Sequence, residues 1–250
     1  MTDQTMTSQS AVDPAEQPVK RVMGIFAHPD DPEFFAGASF ARWAAEGADL
    51  TFVLATSGDK GSADLEMTSD RLIEIREQEE RAAAAALGVR EVIFLRYRDG
   101  ELLPSLELRR DLVRILRMKK PDIVVTCDPM TMYWPGGGIN HPDHRAIGEA
   151  VIDAVYPTAR DRLNFPELER DERLDVHKVQ QVYLAGTRDP NVRVDVTRYI
   201  DQKIDSLRHH ISQIADMESM AQRVKERSID PHSPDDQVRY IEQFCVLNMR

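Results

Sequence analysis

From residue 21 onward, short apolar runs alternate with stretches of helical periodicity. RVMGIFA (21–27) is almost continuously apolar and predicts a strand covered on both faces. PEFFAGASFARWAAEG (32–47) predicts a helix stopped by Gly47. ADLTFVLAT (48–56) predicts a second strand, ended by SGDKGS. A long helix follows over 68–88, with Thr68 or Ser69 as its cap and Gly88 as its stop. EVIFL (91–95) is a third strand, 105–120 a helix closed by Pro121, and DIVVTC (122–127) a fourth strand. Helical spacing returns over 143–156. KVQQVYLAG (178–186) and NVRVDVT (191–197) predict two further strands. A helical region over 199–228 and a shorter helical stretch over 234–246 complete the chain. Strands and helices alternating at this spacing imply an α/β fold, with a Rossmann-like, mostly parallel sheet and helices on both faces.

The polar residues fall where such a sheet binds ligands, outside the carboxyl ends of its strands. His28, Asp30 and Asp31 follow the first strand, and Ser57, Gly58, Asp59 and Lys60 the second. Tyr97, Arg98 and Asp99 follow the third, and Asp128 with the loop WPGGGINHPDH (134–144) the fourth. Two adjacent carboxylates directly after a buried strand repel each other, so HPDD (28–31) calls for a positive charge nearby. HPDH (141–144) lies far along the chain, and the two become neighbours if the first strand lies beside the fourth, an order of about 3-2-1-4-5. Imidazole and carboxylate ligands suit Zn²⁺ with one position open for water, and a His/His/Asp set also matches the facial triad of non-haem iron. A dication would relieve the carboxylate repulsion, leaving one Asp as ligand and the other placed to accept a proton.

Composition narrows the partners. With 250 residues, 42% hydrophobic and 30% charged, the chain can bury a full core. Its 32 basic against 43 acidic residues, net −11, disfavour nucleic acid as a partner, since phosphate binding draws on an excess of Lys and Arg. No apolar run approaches the roughly 18 residues of a membrane span. Two cysteines, Cys127 and Cys245, without a CxxC pair, and a start lacking the pattern of a signal peptide, fit a cytoplasmic protein. Residues 1–19 are polar and are expected to form a disordered tail. Residues 20–250 are expected to form one α/β domain, with a C-terminal helical part from about 199.

AHPDDPEFFAGASFARWAAEGADLTFVLATSGDKGS, EIREQEERAAAAALGV, LRYRDGEL and HPDHRAIGEAV together resemble the LmbE-like, or PIG-L-type, N-deacetylase family, clearly over residues 21 to 156. The resemblance implies a Zn²⁺-dependent hydrolase, one ion per chain with Fe²⁺ as the other candidate. It would remove an acyl group, usually acetyl, from an amino-sugar conjugate such as an N-acetylglucosaminide. A mycothiol-conjugate-type amidase is the neighbouring alternative. Carried onto matching positions, His28, Asp31 and His144 are the metal ligands, Asp30 the general base and His141 the oxyanion donor. Arg76 and Asp99 stand where relatives contact the sugar, and Asp59 at a position that is often Glu. Some relatives place a Tyr two residues before HPDH. Here that residue is Ile139, and Tyr133 is the substitute further up the loop. Relatives include homo-oligomers as well as monomers.

Two competing functions use the same features. A non-haem iron oxygenase would share the ligand types, but it would leave the adjacent carboxylate Asp30 without a task. A nucleotide-binding module would need a Gly-rich phosphate loop after the first strand, where this chain presents two carboxylates.

Overall fold

A computed structural model describes residues 21–134, 137–234 and 237–249, so the expected tail at 1–19 lies outside the described residues. Strands β1 (Arg21–Phe26), β2 (Asp49–Thr56), β3 (Glu91–Tyr97), β4 (Ile123–Cys127) and β5 (Gln181–Ala185) pair in parallel in the order β3-β2-β1-β4-β5. Helix α1 (Asp31–Ala45) joins β1 to β2, and α2 (Ser69–Ala86) joins β2 to β3. The chain then crosses back through α3 (Leu106–Lys119) to β4 and continues through α4 (Pro142–Val155). Right-handed crossovers running first one way and then the other put α1 and α2 on one face and α3 and α4 on the opposite face.

Local signals account for the helix ends. The Thr68 side chain accepts the N–H of Arg71 at the start of α2, and Ser105 accepts that of Leu108 at the start of α3. Helix α4 approaches β4 closely because Gly148 has no side chain; a Cβ there would lie 2.3 Å from the Cys127 carbonyl oxygen. Phe26, Phe40 and Phe52 are fully buried where α1 covers β1 and β2, and each contributes about 2–3 kcal/mol by burial.

The C-terminal part departs from the sequence expectation in two places. The helical region expected over 199–228 is two helices, α6 (Ile200–Leu207) and α7 (Met217–Ser228), after a short α5 (Pro166–Arg170). The chain between them turns at His210, which is fully buried. The stretch expected to be helical over 234–246 instead holds a strand, β7 (Ile241–Asn248). It lies antiparallel between β5 and β6 (Val192–Asp195), completing a seven-stranded sheet. The apolar spacing of Ile241, Phe244 and Cys245 imitates a helix. The open edge of β5 decides for a strand, because it supplies hydrogen-bond partners that no sequence period reveals.

Candidate active site

β1 and β4 are neighbours whose following helices leave toward opposite faces, so a crevice opens between their carboxyl ends. HPDD leaves β1 into this crevice, and HPDH starts α4 on its other side. The structure brings the two motifs together. His28 Nδ1 lies 3.3 Å from Asp31 Oδ2, and His144 Nε2 lies 3.0 Å from Asp31 Oδ1. The rings of His28 and His141 stand 4.6 Å apart, edge to face.

Outer partners orient both imidazoles. His28 Nε2 faces Asp99 Oδ1 at 3.2 Å and Asp143 Oδ2 at 3.3 Å. His144 Nδ1 lies 2.9 Å from Asn140 Oδ1. Each carbonyl or carboxylate oxygen is placed to take the N–H of one ring nitrogen, and the other nitrogen of each ring faces Asp31. Asp143 is itself held by the N–H groups of Gly100 and Leu102, at 2.7 and 3.3 Å, so the loop after β3 is tied to α4. Neither Asn140 nor Asp143 was given a part in the chemistry by the sequence. The cap of α4 is His141, which accepts the Asp143 N–H at Nδ1, 3.2 Å away.

The carboxylates differ in electrostatics. At Asp31 burial opposes ionisation, but His144 and His28 outweigh it and hold the carboxyl far below its usual range. Asp30 is pushed up to about 6: burial favours its neutral form, Arg76 pulls part of the way back, and Asp31 adds repulsion. Burial disfavours the charged form of His28, yet Asp31, Asp143 and Asp99 hold its pKa well above the usual value. His141 is lowered, by burial and by the nearby His28 charge. Its Nδ1 already accepts a hydrogen bond, so the neutral ring carries its proton on Nε2.

Arg76, Asp59, Asp99 and Tyr133 face protein groups. Arg76 is buried and donates from Nη2 to the Pro29 carbonyl at 2.7 Å and from Nη1 to the Gly58 carbonyl at 3.2 Å; it also pairs with Asp30 Oδ2 at 3.3 Å. Gly58, with φ +66°, makes room for it; a Cβ there would lie 2.1 Å from Arg76 Nη1. Asp59 accepts the Asp99 N–H at 2.9 Å, and Asp99 is spent on His28. Tyr133 is exposed, its ring 4.9 Å from the Arg188 guanidinium carbon. Arg76, Asp59 and Asp99 therefore hold loops together in this structure, and sequence position alone could not separate that task from contact with a ligand.

A groove of about 1080 Å³ opens beside the cluster, lined among others by Asp30, Phe34, Phe35, Trp134, Gln213 and Arg223. Phe35 joins it to the cluster, its ring 5.4 Å from that of His144. Such a volume lies at the upper end of small-molecule sites, typically about 300–1,000 Å³.

The donor set fits a divalent cation. Two imidazole nitrogens stand 3.3 and 3.0 Å from the two oxygens of one carboxylate, separations of the size found between ligand atoms around a zinc ion with bonds of about 2.0–2.1 Å. Around His28 three carboxylates crowd one imidazole, an excess of negative charge that a dication offsets.

Residues 23–155 match the PIG-L family, described as GlcNAc-PI de-N-acetylase. The chain is similar to the diacetylchitobiose deacetylase of Thermococcus kodakarensis, with 33% identity over 195 residues, 78% of this chain and 70% of that protein. It is 30% identical over 246 residues to the 1D-myo-inositol 2-acetamido-2-deoxy-alpha-D-glucopyranoside deacetylase of Thermobifida fusca, covering 78% of this chain and 84% of the relative. The solved structure of N,N'-diacetylchitobiose deacetylase from Pyrococcus horikoshii, complexed with an inhibitor, superposes with a TM-score of 0.82 at 32% identity, over 92% of this chain and 84% of that one.

Proposed function

The chain belongs to the PIG-L family and is an N-deacetylase, and from that premise we propose that it removes the N-acetyl group of an amino-sugar conjugate with zinc held by His28, Asp31 and His144. The observation that carries this reading is the convergence of His28 Nδ1 and His144 Nε2 on one carboxylate, with the far nitrogen of each ring facing an oxygen. Zinc bound there supplies Lewis acidity, polarising the amide carbonyl and lowering the pKa of a water to about 7.

The chain's own residues carry the protons. Asp30 lines the groove directly beside Asp31 and is not needed as a cap, since its side chain makes no hydrogen bond to the first turn of α1. It takes the proton of the attacking water and returns it to the leaving nitrogen. Arg76 offsets part of the cost that burial imposes on ionised Asp30. His141 presents Nε2–H to the oxygen of the tetrahedral intermediate, a preorganised donor typically worth about 3 kcal/mol. Phe34, Phe35 and Trp134 offer the apolar faces on which a sugar ring packs, and the groove continues toward α7, leaving room for the group attached to the sugar.

A panel of N-acetylglucosaminides assayed for released primary amine, with and without chelator, tests this. Amine release that chelator abolishes and added zinc restores is the expected result. Absence of release from every member, or release indifferent to chelator, overturns the proposal.

A further inference from the structure

Asp30 stands in an uncommon backbone conformation, φ +87° for a residue that is not glycine. Two side chains one turn apart on α2 hold it there. Arg76 takes the carbonyl of Pro29, and Glu80 Oε2 accepts the N–H of Asp30 at 3.0 Å. Glu80 is fully buried and its other oxygen has no hydrogen-bond partner among the described residues. Burying a carboxyl group for a single hydrogen bond is a poor exchange if stability is the aim. The return lies in what that bond holds.

Two further buried side chains stand within 4.8 Å of Glu80, neither hydrogen-bonded to it among the described residues. His210 Nε2 lies 3.9 Å from Glu80 Oε2 and 3.4 Å from Glu33 Oε2, and all three residues are fully buried. Glu33 belongs to the first turn of α1 and His210 to the turn between α6 and α7. The same turn carries Gln213 and Ile214, which line the groove with Asp30. Three separate segments thus meet at one backbone amide.

We propose that Glu80, buried beside His210 and Glu33, is a positioning residue for N-deacetylation of the sugar: it fixes the backbone of Asp30 so that the carboxylate reaches the reacting water. The proposal rests on Asp30 being the base. Glu80 acts, on this proposal, through the Asp30 amide, to which its Oε2 is hydrogen-bonded.

Steady-state kinetics of the zinc-loaded full chain separate the possibilities. Glu80→Ala is expected to lower kcat about 10–100-fold, the size of effect that a small misplacement of a reacting group produces, with KM and zinc content unchanged. Glu80→Gln keeps an oxygen that can accept the amide proton and is expected to recover most of the loss. In an Asp30→Asn background, Glu80→Ala is expected to cost less than about 3-fold, because its target is already gone. Equal losses in both backgrounds overturn the proposal, as does loss of bound metal from Glu80→Ala, which would make the buried cluster part of an ion site. Should Glu80→Ala fail to fold, hydrogen exchange at the Asp30 amide in the unmodified chain decides: protection is expected, and exchange at the rate of an open loop overturns. Full activity of Asp30→Asn itself is a different outcome; it sinks the base assignment, while the exchange measurement still reports on the Glu80 contact.

Discussion

At Asp31 two imidazoles outweigh burial, whereas at Asp30 burial outweighs one guanidinium, so adjacent residues of one type are held in opposite protonation tendencies. A permanent anion is what a cation ligand needs, and a carboxylate near its titration point is what a proton carrier needs. Asp30→Asn is expected to keep the bound metal and lower kcat by about 10²–10⁴, the usual range for general base catalysis; plasma emission and an amine-release assay check both halves. His144→Ala is expected to lower the zinc stoichiometry, and an unchanged metal content would refute its place among the ligands. Arg76 stabilises the ionised form of Asp30, so removing it raises that pKa. The base is active when ionised, and the acid limb of the kcat profile in Arg76→Gln is therefore expected to move to higher pH than in the unmodified chain. The motifs HPDD and HPDH were legible because they are short and each follows a strand. Asn140 and Asp143 were not, because a polar residue near a helix start looks the same whether it caps the helix or orients a ligand.

At the scale of elements, the break inside α1 shows how a late strand completes an early helix. Ala36 leaves helical geometry, with φ −148° and ψ 17°, just before the N–H groups of Ala38 and Ser39. Glu242 of β7 accepts both, at 3.2 and 2.8 Å, and so caps the second half of the helix. Lys203 of α6 neutralises that carboxylate at 2.7 Å and donates to the Phe34 carbonyl at 2.8 Å, which lies just before the break. Both side chains are buried, so removing one strands the other. Lys203→Met is expected to cost about 3–5 kcal/mol in urea unfolding, well above an exposed pair. The buried Glu242 also explains why β7 does not read as a strand: an acid on its covered face disguises the two-residue alternation that a strand would show. The sequence of the α6–α7 region carries no Gly or Pro at its break, where His210 is buried beside Glu33 and Glu80.

For the whole molecule, the proposed cation would couple to the fold. The proposed ligands come from the ends of β1 and α4, so an ion that binds only the folded chain would stabilise it by mass action. Chelation is expected to lower the melting temperature, and added zinc to restore it. The restoration should be larger near pH 7.5 than near pH 5.5. His28 is held protonated by its three carboxylates, and the ion must displace that proton. Calorimetry at the two pH values checks the sign; a shift independent of pH would argue against His28 as a ligand.

By itself the sequence determined the parallel β3-β2-β1-β4-β5 core and the placing of HPDD and HPDH at its rim. Both follow from local periodicity together with the handedness of crossovers, which needs no knowledge of side-chain contacts. Tertiary structure alone decided which buried polar groups satisfy one another: Asp143 with Gly100, Glu80 with Asp30, Glu242 with the broken helix. Those pairings join residues distant in the chain, and each of these side chains could equally have been solvated or capped its own turn. Only the folded geometry, which removes water from them, forces the choice.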